Sequence, residues 1–192
     1  MDRVAQILKD SAALNALDSR IEETLKRRDK SVEGREQWAA ACKDFHEAFD
    51  RLFFPGGSAN LSKVRDGDPL AIESAIDFLL ADPRHFRSGY VKEELWRRAP
   101  KWSLSTEALD TIDKAALDYL RKQMRRDFWY MCRAMARIGR ASFWQQVTLH
   151  LGSADALVVK RASYLFAYSL GVAAGERVHK QVYYDVLRSK YG

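Results

Sequence analysis

For most of its length this chain places an apolar residue every three or four positions, the spacing that holds side chains on one stripe of an α-helix. The first series is Val4, Ile7, Leu8, Leu14, Leu17, Ile21 and Leu25, which predicts a long helix fading near Lys26-Arg27-Arg28. Ser31 is placed to cap a second helix, whose stripe is Trp38, Cys42, Phe45, Phe49 and Leu52. Only 10 Gly and 4 Pro punctuate 192 residues, too few for the many turns of a β-sandwich. A chain of this length buries roughly 70% of its unfolded surface, enough for a core without disulfides or metals. The expectation is an all-α protein opening with an antiparallel helical hairpin over residues 1–54.

Pro55-Gly56-Gly57-Ser58 ends the second helix, and the Gly-, Ser- and Asp-rich stretch to Asp68 reads as the longest loop and a change of module. Asp68-Pro69 then starts a helix twice over, because Asp caps free N–H groups and Pro at the first position has no donor to leave unsatisfied. That helix runs to about Ala81, and the next covers Ser88 to Arg98 and stops at Pro100. Another pair follows. One helix begins at Ser105 with Leu109, Ile112, Ala116, Leu117 and Leu120 inward, and its partner carries Phe128, Met131, Cys132, Met135 and Ile138 and ends at Gly139, read as a left-handed cap. Ala141 to Leu151 is closed by Gly152, and Asp155 caps a helix through Val158, Ala162, Leu165 and Phe166 to Leu170-Gly171. Val178, Val182, Val186 and Leu187 mark a last helix. Pairs starting near residues 70, 105 and 141 give a period of about 35, the mark of stacked helix pairs.

Within Leu149 to Gly171 the residues Leu149, Leu151, Asp155, Val158, Lys160, Arg161, Ala162, Leu165 and Leu170-Gly171 resemble a HEAT repeat, of the HEAT-like and armadillo-like helical-repeat class. Met131 to Gly139 is similar to the end of the preceding unit, and Ala75 to Arg98 to a degenerate one. The resemblance implies a short right-handed α-solenoid of HEAT-like helix pairs over 69–192. It places Asp155 in the turn between paired helices, the basic residue on the second helix, and Ala162 where helices approach. Trp96-Arg97-Arg98-Ala99 also resembles a helix segment of the HEAT-like alkylpurine DNA glycosylases. That likeness implies an Asp near two aromatic residues, a role the sequence assigns to no position.

The four histidines, His46, His85, His150 and His179, are not spaced as metal ligands, and Pro55-Gly56-Gly57-Ser58 lacks the Lys and Ser/Thr of a phosphate loop. Cys42 and Cys132 lie on apolar stripes and read as small hydrophobes rather than nucleophiles. Carboxylate pairs such as Glu93-Glu94 have basic neighbours that keep them ionised and read as solvated. No cofactor, metal or catalytic residue is expected. No apolar run is long enough for a bilayer span and no secretory pattern opens the chain, so a cytoplasmic location without a membrane partner is expected.

Charge is unevenly distributed. Residues 1–83 carry 12 basic and 16 acidic groups, whereas residues 84–140 carry 14 and 7. The latter interleave with aromatics, and the candidate binding residues are Trp96, Arg97, Arg98, Arg126, Trp129, Arg133 and Arg137, with Arg140 near the same helical face. Such a stripe could follow a phosphate backbone, with Trp stacking on bases. Alternatively, Trp96, Trp102 and Trp129 fill the core and the Arg stems cover apolar surface. The leading expectation is a non-enzymatic interaction module that presents a helical-repeat groove to a protein or peptide. Nucleic-acid binding through the basic face comes second, and a HEAT-like DNA glycosylase third.

Overall fold

The structure is a computed structural model, and residues 2–170 of it are described. Among them there are nine α-helices and one 3-10 turn, with no strand. The helices are α1 (Arg3–Leu25), α2 (Val32–Leu52), α3 (Gly57–Asp66), α4 (Pro69–Ala81), α5 (Ser88–Arg98), α6 (Thr106–Tyr119), α7 (Asp127–Ile138), α8 (Ala141–Leu151) and α9 (Ala156–Ser169); the 3-10 turn is Ala99–Lys101. None of these helices is long and apolar enough to cross a membrane. The helix expected around Val178, Val182, Val186 and Leu187 lies outside the described residues, as does Gly171.

Helix starts are set locally. Ser31 accepts the Gly34 N–H at 2.9 Å, Asp68 the Ala71 N–H at 2.9 Å, Ser105 the Ala108 N–H at 3.2 Å, and Asp155 the Leu157 N–H at 2.8 Å. Each such cap stabilises its helix by about 1 kcal/mol.

Two local expectations are corrected. The segment read as a long loop holds α3. Gly56 and Gly57 turn the chain at φ 77° and 69°, Asn60 Nδ2 ties back to the Pro55 carbonyl at 2.8 Å, and Leu61 and Val64, three apart, are buried. Gly139 is not a left-handed cap, because its φ is −64° and ψ 124°. A Cβ there would stand 2.6 Å from the Met135 carbonyl oxygen and 3.0 Å from Phe143, so glycine serves close approach rather than handedness.

Contacts divide the chain into two compact units, Met1–Lys92 and Glu93–Gly192, with the division inside α5 rather than in the 55–68 segment. In the first unit α1 packs on α2 and α4, while α3 packs on α2 and α4. Leu14, Ala41, Phe54, Ala71, Ala75, Phe78 and Leu79 are all but fully buried between them. The α4–α5 connection is held from within. Lys92, fully buried, bonds Asp82 at 2.6 Å and the Pro83 carbonyl at 3.0 Å. Asp82 and Arg87 adopt positive φ at the two ends of this connection.

In the second unit α6 packs on α7 and α8, and α9 packs on α8 and α7. Leu95, Ile112, Leu120, Phe128, Met131, Met135, Val147, Ala162 and Leu165 have no exposed surface. Buried Arg161 of α9 donates to the Leu120 carbonyl at 3.0 Å, satisfying an acceptor that the end of α6 leaves open.

Candidate functional site

At 100° per residue, Arg126, Tyr130, Arg133 and Arg137 fall within roughly 60° of arc along α7 and the residue before it. The opposite arc, Phe128, Met131, Cys132 and Met135, is wholly buried. The amphipathic sequence of this helix therefore fixes which side faces solvent. Arg133 and Arg137 are exposed, and Arg137 stands in the last turn, where the helix dipole favours a cation.

Neighbouring helices add to that face. The Arg97 guanidinium, from α5, lies 5.7 Å from the centre of the Tyr130 ring, and that of Arg133 lies 5.6 Å from the same ring. Trp129 meets Tyr164 of α9 edge-on at 5.2 Å and tilts against Tyr168 at 6.5 Å. Lys160 stands 6.0 Å over the Tyr164 ring. Burial pushes the Tyr168 phenol above its ordinary pKa, opposed by a hydrogen bond from Arg133. Cations and rings thus alternate across α5, α7 and α9, an arrangement in which each guanidinium gains from a ring quadrupole without losing its N–H donors.

The arginines differ in how far they are committed. Arg126 pairs with Glu93 at 2.8 Å, and Arg97 lies 4.0 Å from the other Glu93 oxygen. Arg98 is held by Glu94 at 3.2 Å. Arg140 leaves the stripe for α6, where its guanidinium is shared between Asp110 and Asp113. Burial raises the Asp113 carboxyl above the usual range, and Arg140 partly opposes this.

Of the residues expected to bind, Arg97 and Arg133 come together at Tyr130, Arg126 and Arg137 lie on the same side of α7, and Trp129 packs against Tyr164 and Tyr168 of α9. Trp96 does not join them. It has no exposed surface and packs edge-on against Tyr119 at 6.1 Å, so it fills the core and cannot stack on a ligand. Tyr164 and Tyr168, 8% and 9% exposed, pack behind Trp129 as part of the core, and Lys160, four residues before Tyr164 on α9, lies over the Tyr164 ring. Glu93, expected to be solvated, is instead buried at 8% exposure.

The other chemistry is sparse. Cys132 is buried, which pushes its thiol well above the ordinary range, and Cys42 is half-buried. Among the described residues no group of three His, Cys, Asp or Glu side chains is placed to hold a metal ion. A groove of about 470 Å³ runs along α6 and α8, lined by Asp110, Asp113, Asp118, Arg140, Gln146 and His150, and Arg140 already occupies two of its three carboxylates, Asp110 and Asp113. No family model, no curated protein and no solved structure matches the chain.

Proposed function

We propose that this chain is a non-enzymatic interaction module of HEAT-like helix pairs, which binds an acidic segment of a protein partner on the face built from Arg97, Arg126, Trp129, Tyr130 and Arg133. The observation that carries the reading is the Tyr130 ring flanked by the Arg97 and Arg133 guanidiniums at 5.7 and 5.6 Å. A carboxylate that meets either cation comes to lie beside the ring, which combines a charged and an aromatic contact as short peptides can use.

The repeat reading draws support from the order of contacts in the second unit. The first helices of the pairs, α6 and α8, touch each other, and so do the second helices, α7 and α9. That is the neighbour pattern of layered pairs, and their second helices supply one continuous surface. Arg161 adds a tie from one pair to the next through the Leu120 carbonyl.

Charge pairing favours a peptide over a nucleic-acid backbone. Glu93, Glu94 and Asp118 lie beside Arg126, Arg98 and Arg121, which breaks the run of cations a regular phosphate track requires. The test is fluorescence anisotropy with a labelled Glu- and Asp-rich peptide, a labelled single-stranded DNA and a labelled duplex, each at about 50 and about 200 mM salt. Saturable peptide binding is expected, weakened about tenfold or more in an Arg97→Ala, Arg133→Ala double variant. Absence of peptide binding, or tighter DNA binding abolished by the same variant, would overturn the proposal.

A further inference from the structure

We infer that the closed end of the α1–α2 hairpin, residues 25–32, docks on an anionic phospholipid surface: Leu25 and Val32 enter the interface while the cations between them meet the headgroups. This end belongs to the first unit and shares no residue with the α7 face. None of the described helices is able to span a bilayer, and adhesion to its surface needs no span.

Hydrogen bonds from α1 to α4 and the connection after it come from the first part of the helix. Arg3 donates to Asp77 at 3.3 Å, Ser11 accepts the Arg84 N–H at 3.2 Å, and Asn15 donates to the Arg84 carbonyl at 2.6 Å. The buried residues of α1 likewise end at Leu14. From Asn15 the helix rises about 15 Å further to Leu25, and on the way Arg20 meets Asp44 of α2 at 2.7 Å. The turn is tightly made. The Arg27, Arg28 and Lys30 N–H groups bond the Thr24, Leu25 and Arg27 carbonyls at 3.0, 3.2 and 3.0 Å. A Cβ on Gly34 would collide with the Arg27 carbonyl, so glycine lets α2 start flush against the turn.

At this end the charge of the first unit reverses. Residues 25–32 carry four basic groups and one acidic, whereas residues 1–83 as a whole carry 12 and 16. Asp29 is taken by Arg28 at 2.9 Å, and Arg28 also lies 5.2 Å from the centre of the Trp38 ring. Lys26, Arg27 and Lys30 are exposed and in no ion pair among the described residues. Leu25 and Val32, the last residue of α1 and the first of α2, are 46% and 71% exposed beside them. Each Lys or Arg at an anionic leaflet strengthens adhesion about fivefold, while the acidic remainder of the unit is repelled, which favours approach by the turn. Glu22 and Glu23 on α1, and Glu33 and Glu36 with Arg35 on α2, lie behind it, and a leaflet whose field decays over about 8 Å meets the turn first. A nucleic-acid backbone would engage the cations but offers nothing to Leu25 and Val32. The boundary between headgroups and acyl chains takes both.

The test is co-sedimentation of the full chain with vesicles of phosphatidylcholine, alone or with about 30% phosphatidylserine, at about 50 and about 200 mM salt. Binding to the phosphatidylserine vesicles, weakened by salt and absent from phosphatidylcholine alone, is expected. A Lys26→Ala, Arg27→Ala, Lys30→Ala variant should lose about tenfold or more in affinity. A Lys9→Ala, Lys63→Ala, Lys101→Ala variant removes the same charge from exposed positions elsewhere and should lose less than about twofold. Val32→Ser leaves the charge intact and should weaken binding about threefold, and Val32→Trp should strengthen it by a similar factor. Absence of binding to phosphatidylserine vesicles overturns the inference, as does an equal loss in the two triple variants. Silence of both Val32 variants reduces the contact to ionic attraction and also overturns it. So does loss of binding to a labelled DNA duplex in the Lys26, Arg27, Lys30 variant with its vesicle binding unchanged.

Discussion

His85 gives the first unit a dependence on pH that can be worked out from its contacts. Its Nε2 lies 3.1 Å from the Phe53 carbonyl, which can only accept, so Nε2 carries the hydrogen and Nδ1 accepts from the Ser11 hydroxyl at 3.2 Å. Burial lowers its pKa from 6.5 to about 4; the Phe53 hydrogen bond opposes that fall, and the charge of Lys92 adds to it. The folded pKa is below the unfolded one, so the unfolded chain binds the proton more readily. The stabilisation from a neutral ring is therefore complete above about pH 6.5 and is lost as pH falls towards 4. A fall of that size corresponds to about 3 kcal/mol, which partial exposure of the ring reduces to about 2 kcal/mol. Urea unfolding followed by far-UV circular dichroism, on wild type and His85→Gln at about pH 7 and about pH 4.5, measures it. Carboxylate titration is common to both proteins and cancels in the comparison. The wild type is expected to lose about 2 kcal/mol more than the variant between the two conditions. Parallel losses would refute the argument.

Two further perturbations test how the first unit is held. Lys92→Met removes the ammonium that Asp82 meets at 2.6 Å in a site with almost no solvent, and should cost about 3–5 kcal/mol. Adding Asp82→Asn should recover part of that, and a double-mutant cycle in urea with a coupling below about 0.5 kcal/mol would contradict it. Gly57→Ala places a Cβ 2.5 Å from the Asp50 carbonyl at φ 69°, whereas Gly67→Ala meets nothing within 4 Å at φ 84°. The second should cost about 1 kcal/mol and the first at least about twice that, read as melting temperatures several degrees apart, and equal shifts would rule out the steric account.

What the sequence discloses follows the range of the forces involved. Caps act over three residues, so Ser31, Asp68, Ser105 and Asp155 are legible as helix starts without any knowledge of packing. At 55–68 the composition of Gly, Ser, Asn and Asp outweighed the spacing of Leu61 and Val64, a period too short to stand out until α4 is there to bury it. Gly139 is marked as special by being glycine, but whether it serves a positive φ or a close approach depends on Met135 and Phe143. The α7 face is legible because a single helix carries it. Trp96 is not, because α5 buries Val91, Lys92, Glu93, Leu95 and Trp96 and so has no clean polar side. The environment of Glu93 comes from Arg126, far along the chain, and no local pattern announces it.

The excess of cations over residues 84–140 accordingly overstates what a partner encounters. Glu94 holds Arg98, Glu93 holds Arg126, Asp118 lies 4.0 Å from Arg121, and Asp110 with Asp113 takes Arg140. Paired charges of opposite sign largely cancel beyond a Debye length, about 8 Å at physiological ionic strength, so the long-range field of this surface is weaker than its arginine content suggests. On the proposed reading Arg97 and Arg133 would act at short range instead, since their guanidiniums lie 5.7 and 5.6 Å from the centre of the Tyr130 ring. A surface that recognised a polyanion by total charge would lose affinity steeply with salt, in proportion to the phosphates it neutralises. One that recognises a carboxylate by two ring-supported guanidiniums loses far less. The slope of peptide affinity against salt therefore separates the two modes, and a shallow slope that depends on Arg97 and Arg133 is what the pairing of charges on this face requires.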